Sequence, residues 1–287
     1  MMEEINRSLN GQLNLAISIF KGDYPKNFLH QLISSQLDMD RLDYLRRDSF
    51  YTGVTEGNIG SARIIKMLNV IDDSLVVEQK GIYSLENYLT TRRLMYWQVY
   101  LHRTCVAYEK VLVNMLNRAK DLIRMGQQVF AAPALLYFLA NEVDKAWFDT
   151  HPEALTYYSE LDDSDLWSAM KVWKHHDDKI LSTLATDMLD RHIFKVEVTE
   201  EPVDETHIET IVKEISAQME ISIDDAKHYM MNLSTISKDM YNVDDDSIAI
   251  LYKNGEIRDI SEASELLNVQ LLSKKIRKYY LCYQRFQ

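Results

Sequence analysis

Asp40, Tyr44, Arg47 and Asp48 recur at i, i+4, i+7 and i+8, so one helical face would carry two carboxylates, a phenol and a guanidinium. Such a face has definite chemical uses. A carboxylate is a hard oxygen ligand for a divalent ion, and a guanidinium grips phosphate oxygens through parallel N–H bonds. A phenol offers a hydroxyl and a flat ring. The surrounding stretch, Ser34 to Gly53, holds four aspartates and three arginines, yet Leu37, Leu42 and Leu45 keep the spacing of an apolar stripe. Ser35 followed by Asp38 reads as a capping signal that starts the helix just ahead of the acidic cluster. The same spacing also suits a solvated polar face on an amphipathic helix, and spacing alone leaves both readings open.

A second chemical stretch is TTRRLMYWQVYLH, in which Arg92, Tyr96 and Tyr100 follow one another at i, i+4. Met95, Trp97 and Tyr100 could equally form a packing stripe. Other combinations are weaker. His176-Asp177, within Lys174 to Lys179, sits at a helix end and a new helix start, with Asp177 as the expected N-cap. Asp244-Asp245-Asp246 reads as a solvated acidic turn. His102 and Cys105 are three apart but have no evident activating third group, so they read as packing residues. There is no glycine-rich phosphate loop, zinc spacing or nucleophile elbow.

The elements that must position these residues are mostly helical. Asn14 to Phe20, Lys26 to Ile33, the segment ending near Gly53, and Ile59 to Leu68 all read as helix. Leu75-Val76-Val77 with Ile82-Tyr83 suggests a small hairpin. Leu85 to Met125 is expected to be a long helical region, and Ala134 to Phe148, Leu166 to Trp173 and Lys179 to Leu189 continue the pattern. Near Arg191 the character changes. His192 to Thr199 is β-branched and alternating, Thr206 to Met219 is amphipathic, and Ser222 caps a shorter helix near Ile223. Ser247 to Ile260 is a hairpin with Asn254-Gly255 as its turn, Ser261 begins a helix, and Lys275 to Tyr283 is a terminal strand. The expected organisation is a mostly α domain over 1–190 and a small α+β domain over 191–287.

Composition bounds the partners. The 287 residues are 46% hydrophobic, enough for a proper core, with only 8 glycines and 4 prolines to break helices. A formal net charge of −12 disfavours general nucleic-acid binding, because phosphates repel an acidic surface. The two cysteines, Cys105 and Cys282, make no disulfide or metal framework and fit a reducing compartment. No apolar run approaches a bilayer span and no signal peptide is visible, so the expected location is cytoplasmic, with no membrane partner.

The wording SSQLDMDRLDYLRRDSFYTGV closely resembles a signature of the HD-superfamily phosphohydrolases, in the branch related to deoxynucleoside triphosphate triphosphohydrolases. That pattern is Asp-x-Asp-(Lys/Arg)-x-Asp-Tyr-x-x-Arg-Asp followed by a Tyr/His-x-Gly loop. IGSARIIKML (Ile59 to Leu68) and ENYLTTRRLMYWQVYLHRT (Glu86 to Thr104) resemble later helices of the same family, and the likeness weakens after Arg191. It implies an HD-type helical domain and a divalent ion such as Mn, Fe or Mg. By the resemblance Asp40 is the last metal ligand. Arg41 and Arg92 meet the triphosphate, and Tyr44, Asp48 and Tyr100 shape the sugar pocket. Tyr96 stands where well-studied members carry His, which bears on the substrate. The family's other ligands, a His and a His-Asp doublet, have no counterpart ahead of Asp40. The expectation is therefore an incomplete HD domain, inactive as this isolated chain, in which a metal need not be bound.

The function expected of the intact enzyme is metal-dependent hydrolysis of a deoxynucleoside triphosphate to deoxynucleoside and tripolyphosphate, by a homo-oligomer. Two alternatives stand beside it: a non-catalytic oligomerisation or regulatory module, or an HD hydrolase of another nucleotide or phosphate ester.

Overall fold

The structure is a computed structural model that describes residues 2–238, 241, 247–264 and 276–286. It opens with helices α1 (Met2–Ser8), α2 (Asn14–Lys21), α3 (Asn27–Gln31), α4 (Met39–Thr52) and α5 (Ser61–Met67), then strands β1 (Leu68–Ile71) and β2 (Ser74–Glu78). Helix α6 (Ile82–Met95) runs into a π-helical turn (Tyr96–Tyr100), followed by α7 (Arg103–Arg124), α8 (Pro133–Ala140), α9 (Lys145–Thr150), α10 (Pro152–Glu160), α11 (Asp163–Trp173) and α12 (Lys179–Asp190). The mixed remainder is β3 (Lys195–Thr199), α13 (Glu205–Met219), α14 (Ile223–Tyr229), β4 (Met231–Lys238), β5 (Ala249–Leu251), β6 (Ile257–Asp259), α15 (Ile260–Ala263) and β7 (Ile276–Tyr283). The chain is thus mostly helical with a smaller α+β region toward its C-terminal end. It packs as two compact units interleaved in sequence: Met1–His102 with Ser237–Ile276, and Arg103–Ile236 with Arg277–Gln287. The change in sequence character near residue 190 falls inside the second unit.

In the first unit the apolar spacing of α4 turns Leu42 and Leu45 inward, against Leu85, Tyr88 and Leu89 of α6, Ile64 of α5 and Val77 of β2. Ile248, Ile250 and Ile260 from the late segment join this same core. Four strands lie in the order β1-β2-β5-β6. The hairpin expected between Leu75 and Tyr83 instead joins β1 to β2, with Leu68 opposite Val77 and Ile71 opposite Ser74. Its turn is Asp72-Asp73, at φ 48° and 58°, a left-handed pair that suits the twist of a tight hairpin. Ile82 and Tyr83 open α6. Gly81 is demanded by close packing, since a Cβ there would stand 2.7 Å from Val77 Cγ1. β2 then takes β5 as a parallel neighbour, which ties sequence-distant segments into one sheet. Asn254-Gly255 does turn β5 into β6, through a three-residue loop with Gly255 at φ 84° and the Tyr252 N–H bonded to Glu256 O at 2.8 Å.

The long helix expected from Leu85 to Met125 is broken. Leu101 N–H reaches Tyr96 O at 2.7 Å, a five-residue span that marks the π turn, and α7 starts afresh at Arg103. In the second unit Val111, Met115, Ala119 and Leu122 of α7 share a core with Leu181, Leu184 and Met188 of α12, Trp173 of α11, Ile215 of α13 and Leu281 of β7. A second sheet runs β3-β7-β4, with Lys195 opposite Tyr283 in the antiparallel β3/β7 pair.

Asp178, not Asp177, caps α12: its carboxylate accepts from Leu181 N–H at 2.8 Å and is paired with Arg118 at 2.6 Å. The ring of His176 accepts the Asp178 N–H at 3.0 Å, so this histidine serves the start of the helix, and Asp177 is exposed. Of the two thiols, Cys105 is exposed rather than packed, while Cys282 is buried and its pKa is pushed up to about 11 by that burial. Asp244-Asp245-Asp246 lies outside the described residues. Among the described residues no helix is long and apolar enough to cross a membrane.

Candidate functional site

The site is built on the segment that enters α4. Asp38, not Ser35, is the N-cap: its Oδ1 accepts the Arg41 N–H at 2.7 Å. Ser35 shapes the preceding turn, its hydroxyl accepting the Leu37 N–H at 3.1 Å. The other Asp38 oxygen accepts from Arg41 Nε at 2.9 Å, and that N–H is shared with Ser35 O at 2.8 Å. Partial burial acts against the charge on Arg41. The bond to Asp38 and its negative charge outweigh this, so the guanidinium pKa ends above its usual value. Among the described residues the terminal nitrogens of Arg41 carry no hydrogen bond.

α6 and its π turn close the other side. The buried Tyr88 hydroxyl donates to Gln36 O at 2.7 Å, and Arg92 Nη1 donates to Gln36 Oε1 at 2.7 Å. The Arg92 guanidinium lies 6.0 Å from the Tyr96 ring centroid. Tyr96 and Tyr100 meet edge to face at 5.6 Å, and Tyr100 meets Tyr44 in the same manner at 6.2 Å. Tyr100 donates to Asp48 Oδ2 at 2.6 Å. Burial, then the bond to Asp48, raises the Tyr100 pKa, so the phenol stays a donor. Burial also raises Tyr44, with Tyr96 adding to it and the nearby Arg41 and Arg92 opposing it.

Two local features shape the approach of α4 and α6. The extra residue in the π turn lets Tyr96 and Tyr100 both reach the α4 side at the end of α6. The loop after α4 is wedged against both helices. Ser49 Oγ donates to Val54 O at 2.7 Å, and a Cβ on Gly57 would stand 2.5 Å from Ser49 Cβ and 2.7 Å from Met95 Sδ.

Six of the eight residues singled out from sequence therefore converge: Arg41, Tyr44, Asp48, Arg92, Tyr96 and Tyr100. Asp40 is exposed and makes no hydrogen bond or ion pair among the described residues. No group of three or more His, Cys, Asp or Glu able to hold a metal ion is found among the described residues. The donor set around Asp40 does not by itself fit a divalent ion, which needs several such ligands. Arg47 turns outward and pairs with Asp43. Sequence reasoning missed Gln36 and Tyr88, and missed the clamp role of Asp38. Only Asp38, inside the Asp-x-Asp pattern and ahead of a helix, carried a readable signal.

Two anchored guanidiniums beside a tyrosine-lined carboxylate are suited to a phosphorylated ligand with a hydroxylated body. Comparison with known proteins agrees in kind. Residues 59–132 match the family model described as the HD associated region. A phosphohydrolase from Bacteroides thetaiotaomicron, known from a crystal structure, is 59% identical with a TM-score of 0.94, the match covering 99% of this chain and 70% of that one. The uncharacterized protein YwfO of Bacillus subtilis is 30% identical over 265 residues, 91% of this chain and 58% of that protein. The deoxynucleoside triphosphate triphosphohydrolase SAMHD1 homolog of Dictyostelium discoideum is 27% identical over 118 residues, 39% of this chain and 23% of that protein. The chain belongs to the HD-superfamily phosphohydrolases. It spans 58% of the length of YwfO.

Proposed function

We propose that this chain supplies the substrate-binding face of a phosphohydrolase that acts on deoxynucleoside triphosphates. The observation that carries the reading is the convergence of Arg41 and Arg92 from two helices beside the Tyr44–Tyr100–Asp48 cluster. In this reading the guanidiniums hold the triphosphate as charged forks. Tyr44 packs on the sugar. Asp48 keeps Oδ1 for the 3′-hydroxyl while Oδ2 stays bonded to Tyr100. Tyr100 in turn leaves little room for a 2′-hydroxyl. The reaction forms a bond from water oxygen to the α-phosphorus and breaks the bond from that phosphorus to O5′, releasing deoxynucleoside and tripolyphosphate. The chain's part is to bind and align: the guanidiniums hold the triphosphate while its α-phosphorus is attacked, and the deoxynucleoside departs through O5′, which takes up a proton.

Calorimetric titration with deoxynucleoside triphosphate, deoxynucleoside and tripolyphosphate tests this. Arg41→Ala and Arg92→Ala should each weaken the two phosphorylated ligands and spare the deoxynucleoside. Tyr100→Ala should weaken the deoxynucleoside. Tripolyphosphate bound no better than sulfate at equal ionic strength would overturn the reading. For the protein as its source cell makes it, 31P NMR of the products separates the finer claims. Tripolyphosphate supports attack at the α-phosphorus, and pyrophosphate or orthophosphate points to an HD hydrolase of another ester bond. Binding without turnover points to a regulatory module.

A further inference from the structure

We infer that Gln36 is the positioning residue for Arg92, orienting its guanidinium without cancelling its charge. This rests on the substrate-binding reading of the site. Gln36 lies in the short segment before α4 and is only 8% exposed. Its backbone carbonyl is fixed by the hydroxyl of Tyr88, a fully buried side chain of α6. Its side-chain oxygen accepts the one hydrogen bond made by the Arg92 guanidinium among the described residues, at 2.7 Å. The same segment holds the other arginine, through Ser35 O and Asp38 on Arg41 Nε. Residues 35–38 therefore tether two guanidiniums that come from different helices.

The two tethers differ in charge. Arg41 faces a carboxylate, which neutralises much of its field at a distance. Arg92 faces a neutral amide, and no carboxylate pairs with it among the described residues. Orientation has been supplied to Arg92 while its whole positive charge stays available. An arginine left untethered would lose rotamer freedom on gripping phosphate, and part of the binding energy would go into ordering it. With Gln36 in place that ordering is done beforehand, and the remaining N–H groups are already aimed. Arg92 is accordingly the stronger electrostatic grip of the pair, and Gln36 sets its direction.

The test is a double-mutant cycle read by calorimetry, with tripolyphosphate and deoxynucleoside as probes on the full chain. Gln36→Met keeps the length and removes the acceptor. It should weaken tripolyphosphate roughly tenfold to a hundredfold, the range expected for one hydrogen bond to a charged group. In the Arg92→Ala background the same change should matter less than about twofold, because nothing remains to be positioned. Deoxynucleoside affinity should stay within about twofold throughout, whereas a merely structural role would lower both ligands together. Equal losses in both backgrounds, or a matching loss for deoxynucleoside, would overturn the assignment. Should Gln36→Met fail to fold, Gln36→Glu decides. It keeps the acceptor but adds a charge, and should weaken tripolyphosphate by at least about tenfold with deoxynucleoside unchanged. Wild-type affinity in Gln36→Glu would sink the idea. If Arg92→Ala weakens tripolyphosphate and neither Gln36 variant does, this inference alone fails. If wild type ignores tripolyphosphate, the reading of the whole site fails with it.

Discussion

Asp187→Asn should stabilise the second unit at neutral pH and lose that advantage in acid. Asp187 lies on α12 and is 6% exposed, with its carboxyl bonded to the side chain of Gln284 just beyond β7. Asp187 Oδ2 and Gln284 Oε1 are both buried without a hydrogen-bond partner among the described residues. An ionised carboxylate can donate to no acceptor and suffers from burial, whereas the protonated carboxyl is neutral and carries a donor. Burial accordingly pushes the Asp187 pKa up to about 6, against the bond from Gln284 and the nearby His192, with Asp190 adding to the rise. A folded-state value above the ordinary 3.8 means the folded form holds the proton more tightly. The ionised group therefore costs stability above pH 6, and the cost fades as pH falls toward 4. A shift of about two units corresponds to about 3 kcal/mol at pH 7.5 and about half of that at pH 5. Asparagine keeps the shape and is uncharged at every pH, so it should gain about 3 kcal/mol at pH 7.5 and about 1.5 kcal/mol at pH 5. Urea unfolding of wild type and Asp187→Asn at the two pH values measures the difference. A gain of the same size at both, or a loss at pH 7.5, would refute the argument.

Three further outcomes are expected. Gly57→Ala should destabilise the first unit by about 1–3 kcal/mol, because its Cβ would stand 2.5 Å from Ser49 Cβ; thermal melting reads the loss. Asp38→Ala removes the α4 cap and should cost about 1–2 kcal/mol, read by thermal melting. Tyr100→Phe keeps the ring and deletes the donor to Asp48, so deoxynucleoside affinity should change by less than about tenfold while Tyr100→Ala loses more; equal losses in the two would show that the hydroxyl, not the ring, forms the pocket wall.

What could be read from the chain was what repeats or has a fixed offset. The stripe of Leu42 and Leu45 and the i, i+4 step from Arg92 to Tyr96 need only helix geometry and lie where that geometry puts them, whereas the place of Tyr100 depends on the π turn. The π turn could not be read, because one extra residue in a turn leaves the side-chain pattern almost unchanged while it redirects the helix beyond it. The β1–β2 hairpin was misplaced for a related reason. Lys80-Gly81 looks like a turn, but Gly81 is there to let Val77 approach, and the turn falls to two aspartates that tolerate left-handed backbone. The parallel pairing of β2 with β5 joins segments about 170 residues apart, and strand-to-strand partnership over such a distance leaves no local signal. The same holds at the site itself. Arg92 could be named from its i, i+4 run with the tyrosines, and Arg41 from the family resemblance. Gln36 carries neither periodicity nor a motif of its own. Its part depends on Tyr88 and Arg92 both arriving from a helix more than fifty residues away, and it becomes legible only when the fold brings one neutral acceptor against one guanidinium that no carboxylate pairs with among the described residues.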